Sequence, residues 1–354
     1  MSGGRAVAVI GGGIIGSTIA WRLAQQGWRV VLFEKLRLGG EASWAAAGML
    51  APGGELDESV SPARVELFLE NRRRYGAFVE ELTRETALPI DYRECGALDL
   101  AYSDEDWTAL LRSADRHREF GIGSRRMTAD QVRTFSPHIE TEKLAGALFY
   151  PGDAVVAPRE MMAALDAACR KRGVEVRENI TVDAVETRGA GIEIKGELFT
   201  VAVIAAGAWS SSIRINGSCE LPPSEPVKGH LLGFELPLGA CPTIVRHGPI
   251  YVFQRGSGMV VVGASVEHVG YRREVDETVW EPLLSRATRV LPVLEKLRPV
   301  DIWTGFRPQS DALHVERWKG TSLFLAYGHF RNGILLAPTT AESIAKELTS
   351  IQSN

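Results

Sequence analysis

Between a short apolar run at 6–10 (AVAVI) and a helically spaced segment carrying Ile15, Ile19 and Leu23 stand six residues, Gly11-Gly12-Gly13-Ile14-Ile15-Gly16. A second apolar run at 30–33 closes on Glu34. The order strand, glycine turn, helix, strand, acid is that of a βαβ unit holding a dinucleotide pyrophosphate at a helix amino terminus. Gly11 makes the tight turn, Gly13 lets backbone approach a pyrophosphate, and Gly16 lets the helix lie close on the strand. Unpaired N–H groups at the helix start then face the phosphates. Glu34 is placed to accept hydrogen bonds from the adenosine ribose hydroxyls, and Gly27 stops the helix. A glycine turn that only packs a helix would leave the placement of Glu34 unexplained. The motif alone leaves NAD(P) and FAD both open.

Composition narrows the partners. The 354 residues carry 40 Lys+Arg against 44 Asp+Glu, a net charge of −4, which gives no electrostatic case for nucleic acid or an anionic membrane. The length exceeds what one hydrophobic core usually serves, so a large two-part fold or two domains are expected. Cys95, Cys169, Cys219 and Cys241 form no C-x-x-C pair and the seven histidines no H-E-x-x-H. A zinc site, a disulfide framework and a dithiol redox centre are therefore disfavoured, no metal is expected, and the thiols are read as core packing. Apolar stretches such as 201–209 fall short of the roughly 20 residues of a membrane span, and 1–10 lacks the layout of a signal peptide. The expected address is the cytoplasm.

Three further segments ask for a ligand. Residues 39–49 (GGEASWAAAGM) are too small-sided to fill a core and suit backbone passing close to a bound group, although a tightly packed helix start reads the same way. The run 201–209 has a buried-strand pattern and ends in Gly207, which implies something pressed against its end. Near the carboxyl terminus, 328–335 (GHFRNGIL) precedes helical spacing at Ile334, Ile344 and Leu348. Pro338 has no N–H to donate, so the helix should begin near Ile334, with its positive end facing whatever lies before it. A terminal helix merely capped by Asn332 or Gly333 is the plainer alternative. A helix over 62–85, with Val65, Phe68, Val79 and Leu82 inward, reads as scaffold.

The set GGGIIG, ASWAAAGML, PVKG at 226–229, GFRP at 305–308 and GHFRNGILLAP at 328–338 closely resembles the glycine oxidases of bacterial thiamine biosynthesis. These belong to the D-amino-acid oxidase and sarcosine oxidase superfamily of FAD amine oxidases, and the resemblance spans nearly the whole chain in order. It implies an α/β fold in which an FAD-binding Rossmann-like domain of glutathione-reductase type (1–85, 145–215 and 300–354) is interleaved with a mixed or antiparallel-sheet substrate domain (86–144 and 216–299). Strands are expected at 229–236, 250–254 and 259–263. The segment 305–311 lacks the cysteine by which monomeric sarcosine oxidases attach the flavin, so FAD is expected to be non-covalent.

Carried over position by position, the resemblance assigns the FAD pyrophosphate and ribose to Gly11, Gly13, Ile14, Ile15, Gly16, Glu34 and Lys35. It assigns the flavin region to Ala42, Ser43, Ala47, Gly48 and Met49, with Gly207 beside the cofactor. The adenine goes to the backbone of Val182 in a strand-like run at 181–187, and the isoalloxazine to His329, Phe330, Arg331, Asn332, Gly333, Ile334 and Leu335. Arg307 matches the arginine that clamps a substrate carboxylate, with Tyr251 and Arg331 as helpers. An arginine fork is what a small amino acid needs, since one carboxylate and one amine are all it offers for orientation.

The implied reaction is oxidation of glycine, sarcosine or a small D-amino acid by hydride transfer from Cα to flavin N5, with no side-chain base. O2 serves as acceptor, and the products are hydrogen peroxide and an imine that hydrolyses to a 2-oxo acid and ammonia, or that feeds thiazole synthesis. A dehydrogenase passing electrons to a quinone or protein, and a non-catalytic flavin-binding subunit, are the alternatives. A homo-oligomer is common in the family. The chain departs from the pattern at 309–319 (QSDALHVERWK), which loses a proline-glycine turn near the substrate carboxylate. It departs also at Val266, where a bulkier methionine is common, and it ends soon after Leu348 without the usual tail. Lys228 is read as structural or solvent-facing.

Overall fold

Every residue of the strand Ala6–Ile10 is buried, which requires cover on both faces of its sheet. In the computed structural model, which describes residues 5–56 and 60–351, this strand lies inside a six-stranded sheet. The order is His314–Arg317, Leu323–Tyr327, Val201–Ile204, Ala6–Ile10, Arg29–Phe33, Glu175–Arg177. The pairings along it are parallel except at the edge, where His314–Arg317 runs antiparallel to its neighbour. Alternate side chains part to opposite faces. Val7 and Val9 join a core with the helices Ile14–Gln25, Pro62–Thr86, Pro158–Lys171 and Gly333–Ile351. Ala8 and Ile10 meet residues of a four-stranded sheet built from 184–215. The helix Pro62–Thr86 buries Val65, Phe68, Val79 and Leu82, as its spacing predicts, the last three of them in that first core.

The second large sheet has eight strands in the order Asp301–Gln309, Glu225–Glu235, Met259–Gly263, Ile250–Gln254, Ile244–His247, Ala97–Ala101, Gly146–Tyr150, Arg125–Met127. Two of its strands, Asp301–Gln309 and Gly146–Tyr150, come from segments grouped above with the nucleotide half. Asp301–Gln309 pairs with Glu225–Glu235 from Gly233 opposite Asp301 to Glu225 opposite Gln309. That ladder satisfies backbone groups along the whole strand, and it brings the GFRP segment alongside PVKG.

Local boundaries also differ from expectation. The buried run at 201–209 is a strand only to Ile204, and Gly207 opens the short 3-10 helix Gly207–Ser212. The strand near 181–187 is Ala184–Arg188, so Val182 lies outside it although it is buried. The carboxyl-terminal helix starts at Gly333, one residue ahead of Ile334. All four cysteines are free, but Cys219 is exposed and Cys95 only partly covered, so core packing describes Cys169 and Cys241 alone. Lys228 is 1% exposed, and the solvent-facing alternative for it is wrong. Among the described residues no helix is long and apolar enough to cross a membrane. Residues 1–4, part of the stretch read for a signal, lie outside the described residues.

Candidate active site

The glycine turn has the geometry its spacing demands. Gly11 takes φ +108°, and a Cβ there would collide with the Ala205 carbonyl. A Cβ on Gly16 would overlap the Gly11 carbonyl oxygen, so only glycine lets the helix Ile14–Gln25 sit this close to the strand before it. Two nearby donors are already used. Ile14 N–H donates to Ser43 Oγ at 2.8 Å, and Gly12 N–H donates to Glu34 Oε2 at 2.8 Å. The N–H groups of Ile15 and Gly16, in the first turn, have no intrahelical acceptor. Glu34 is buried, and its other oxygen accepts from Leu36 N–H at 2.8 Å. Its carboxylate thus arrives oriented, with lone pairs to spare for a ribose diol. Lys35 places its ammonium 3.0 Å from the Trp209 ring centroid and 3.5 Å from Glu41. Burial lowers its pKa from the ordinary lysine value, with Glu41 pulling the other way.

Gly11, Gly13, Ile14, Ile15, Glu34 and Lys35 border one cavity of about 630 Å³, inside the range of clefts that enclose a ligand, roughly 300–1,000 Å³. The same cavity is lined by Ala42, Ser43, Ala47, Gly48 and Met49, by Val182 and Gly207, and by His329, Phe330, Arg331, Asn332, Gly333 and Ile334. Arg307 and Tyr251 complete it. Two expected members stand apart. Gly16 acts from behind through helix packing, and Leu335, 2% exposed, belongs to the hydrophobic core under the helix.

Glycines again set the approach on the far wall. A Cβ on Gly48, at φ +91°, would strike the Val156 carbonyl oxygen, and one on Gly229 would occupy the place of the Arg307 guanidinium. Arg307 thus lies across bare backbone, with Nη1 donating to the Ser265 carbonyl at 3.0 Å and to that of Lys228 at 3.5 Å. Arg331 is exposed on its solvent side. His329 is buried, with its Nε2 2.9 Å from Thr340 Oγ1. Desolvation, with a smaller push from Arg64, pulls its pKa down to about 3. It is a neutral imidazole at pH 7 and no proton acceptor there.

Sequence reasoning missed two parts of the wall. Trp209 was visible two residues past Gly207, but nothing marked it as the platform for Lys35. Arg246 gave no signal at all: it lines the cavity next to Tyr251 in cross-strand register. Its Nε donates to Asp99 at 2.5 Å. Its Nη1 is 3.0 Å from Asp153, an ion pair whose angles make no hydrogen bond. Burial pushes Asp153 up to about 6 against the attraction of Arg246.

The cradle fits a flavin dinucleotide: an oriented buried acid, a helix start with N–H groups to give, glycines that admit close approach, and continuity with an arginine fork. Residues 6–347 match the DAO family, described as FAD dependent oxidoreductase. The chain belongs to the family of FAD dependent oxidoreductases. This oxidoreductase is 34% identical over 353 residues to a glycine oxidase of Geobacillus kaustophilus, covering 96% of this chain and 91% of that one. The crystal structure of glycine oxidase from Geobacillus kaustophilus superposes with a TM-score of 0.90, covering 98% of this chain and 95% of that one at 31% identity. A bifunctional protein ThiO/ThiG of Synechocystis is 32% identical over 355 residues, with 96% of this chain matched to 51% of that longer protein.

Proposed function

We propose that this FAD dependent oxidoreductase oxidises glycine and other small amines bearing a single carboxylate, such as sarcosine and small D-amino acids, with O2 as electron acceptor. The observation that carries this reading is Arg307 laid over Gly229 in the same cavity as the glycine turn and Glu34. Support comes also from the near full-length match to glycine oxidases. The FAD cradle would be Gly11 to Gly16 with Glu34 and Lys35, then Ala42, Ser43 and Ala47 to Met49, with the 329–334 stretch and the backbone of Val182 completing it. The six-stranded sheet would serve the nucleotide and the eight-stranded sheet the substrate.

FAD would supply there a two-electron oxidant, restored by O2, which is itself reduced to hydrogen peroxide. The chain's own part is positioning. Arg307 takes the carboxylate through two parallel N–H bonds, and Tyr251 and Arg331 border the same space. With His329 pulled down to about 3, no imidazole in the wall is poised to take the amine proton, so the amine enters neutral or gives its proton to water. Loss of two electrons and two protons turns the amine into an imine, and water then gives the 2-oxo acid, glyoxylate from glycine, and ammonia, or methylamine where the substrate is sarcosine. Delivery of the glycine imine to thiazole synthesis for thiamine is part of the proposal, supported by the ThiO/ThiG relative. A homo-oligomer working in the cytoplasm completes it.

The deciding experiment mixes the yellow holoprotein with glycine under nitrogen and then admits air. Bleaching followed by O2 uptake and stoichiometric hydrogen peroxide is expected. Bleaching with dye reduction but no O2 uptake would identify a dehydrogenase instead. Absence of bleaching with glycine, sarcosine and D-alanine alike would overturn the amine-oxidation reading.

A further inference from the structure

Behind the strand that carries Gly229 lies a buried charged knot that the reaction does not use. Alternation along Glu225–Glu235 points Gly229 and Leu231 into the cavity and Lys228 and His230 to the opposite face. Both are essentially inaccessible, at 1% and 0% exposure. They meet Glu267 of the segment 264–276. Lys228 and Glu267 exchange backbone hydrogen bonds in both directions at 3.0 Å. Lys228 Nζ donates to the Glu274 carbonyl at 2.5 Å and lies 3.8 Å from Glu267 Oε2.

His230 Nε2 accepts from Asp276 N–H at 3.0 Å, so its proton sits on Nδ1, 2.7 Å from Glu267 Oε1. Glu267 Oε1 also accepts from Ser265 Oγ at 2.5 Å, and that hydroxyl accepts from His230 N–H at 2.7 Å. A buried lysine is thus balanced by one glutamate, and each group in the knot has a hydrogen-bond partner, the arrangement in which a buried polar network is rigid rather than costly.

The knot ends at the substrate anchor. Ser265, clamped through its hydroxyl and through its neighbour Glu267, presents its carbonyl to Arg307 Nη1 at 3.0 Å. The Lys228 carbonyl, fixed by Glu267 N–H, lies 3.5 Å from the same nitrogen. Both acceptors that hold this edge of the guanidinium are therefore tied to Glu267, that of Ser265 through the carboxylate and that of Lys228 through the backbone N–H. We infer that Glu267, with His230 and Lys228, is a positioning residue for the substrate carboxylate: it fixes Ser265 and the 264–276 segment so that the Arg307 fork is aimed before the amine arrives. This rests on Arg307 being the carboxylate anchor. It adds that the aim is set from the far side of the sheet, by residues that touch neither substrate nor cofactor.

The test is Glu267→Gln in the holoprotein, read by glycine saturation of O2 uptake and by acetate binding, followed as a perturbation of the visible flavin spectrum. The expected result is KM for glycine and Kd for acetate both raised about tenfold, kcat changed less than twofold, and FAD content equal to wild type. In an Arg307→Lys background the same substitution should have little further effect, because a lysine has no fork to aim. Unchanged KM and Kd in a folded Glu267→Gln protein would overturn the inference. So would a loss of kcat and FAD in step with KM, or full additivity with Arg307→Lys, since these mark general damage. Should Glu267→Gln not fold, Ser265→Ala breaks the same link at its thinnest point and is judged by the same criteria. If the wild type binds acetate but oxidises no amine, the functional reading fails while the Kd comparison still tests the positioning.

Discussion

Replacing Arg307 by alanine removes the group on which the functional reading depends, and the structure sets the size of the effect. The guanidinium is already held by the Ser265 and Lys228 carbonyls at 3.0 and 3.5 Å, and Gly229 leaves room for it against the backbone. Little ordering entropy therefore remains to be lost on binding, and the fork contributes nearly its full interaction. Truncating one partner of a hydrogen-bonded charge pair costs about 2–5 kcal/mol. At about 1.4 kcal/mol per tenfold, that is roughly 30-fold to several thousand-fold in affinity. Arg307 is partly exposed in the cavity wall, and screening favours the lower part of that range, about 30- to 300-fold. The assay is the initial rate of O2 uptake against glycine concentration, with acetate Kd measured on the same sample. FAD content should not change, because Arg307 stands on the eight-stranded sheet and the βαβ unit on the other. Arg307→Lys should recover part of the loss, having charge without the fork. An alanine variant that saturates at the wild-type glycine concentration would remove Arg307 from the site and with it the argument for a carboxylate substrate.

Gly229→Ala should imitate that loss without touching a charge, because the new Cβ claims the space of the guanidinium; a glycine KM raised at least tenfold is expected, and an unchanged KM would show that Arg307 works from elsewhere. Gly16→Ala forces the helix off the strand, where its Cβ meets the Gly11 carbonyl, and purified protein should be largely colourless with the thermal midpoint lowered by several degrees, for a loss on the order of 1–3 kcal/mol. His329 makes stability depend on acid. Its pKa is about 3 folded against an ordinary 6.5, so the unfolded chain binds the extra proton between those values, and the contribution, full above pH 6.5, is lost as pH falls toward 3. Urea midpoints measured from pH 7 to pH 5 should therefore fall less steeply for His329→Gln than for wild type, and parallel curves would contradict the burial argument.

The parts of the site that were legible in the chain are those governed by backbone sterics. Gly11 and Gly16 are glycines because a Cβ has no room, and such a constraint acts within a few residues, so strand, turn, helix and acid appear in order along the chain. The same holds for the helix Pro62–Thr86, whose apolar spacing names the face it buries. Boundaries read less well where a strand ends against something distant: Ile204 rather than Gly207 closes one strand, and Ala184 rather than Thr181 opens another. Hydrophobic pattern marks a buried run, not the residue at which its hydrogen-bond partner stops. Arg246 was invisible because nothing in its own segment distinguishes a cavity arginine from a surface one; Asp99 and Asp153, which bury it, are 147 and 93 residues away in sequence.

From its residues alone this chain declares a dinucleotide cradle and, through its motifs, a kinship with flavin amine oxidases, because glycine turns, caps and periodicity are short-range consequences of chain geometry. It does not declare that Asp301–Gln309 pairs with Glu225–Glu235, nor that Lys228, an unremarkable charged residue in a row of letters, is buried against Glu267 behind Arg307. Those depend on which surfaces meet after the sheets assemble. Only the tertiary structure decides them, since burial and pairing between segments tens of residues apart leave no local signature in either partner.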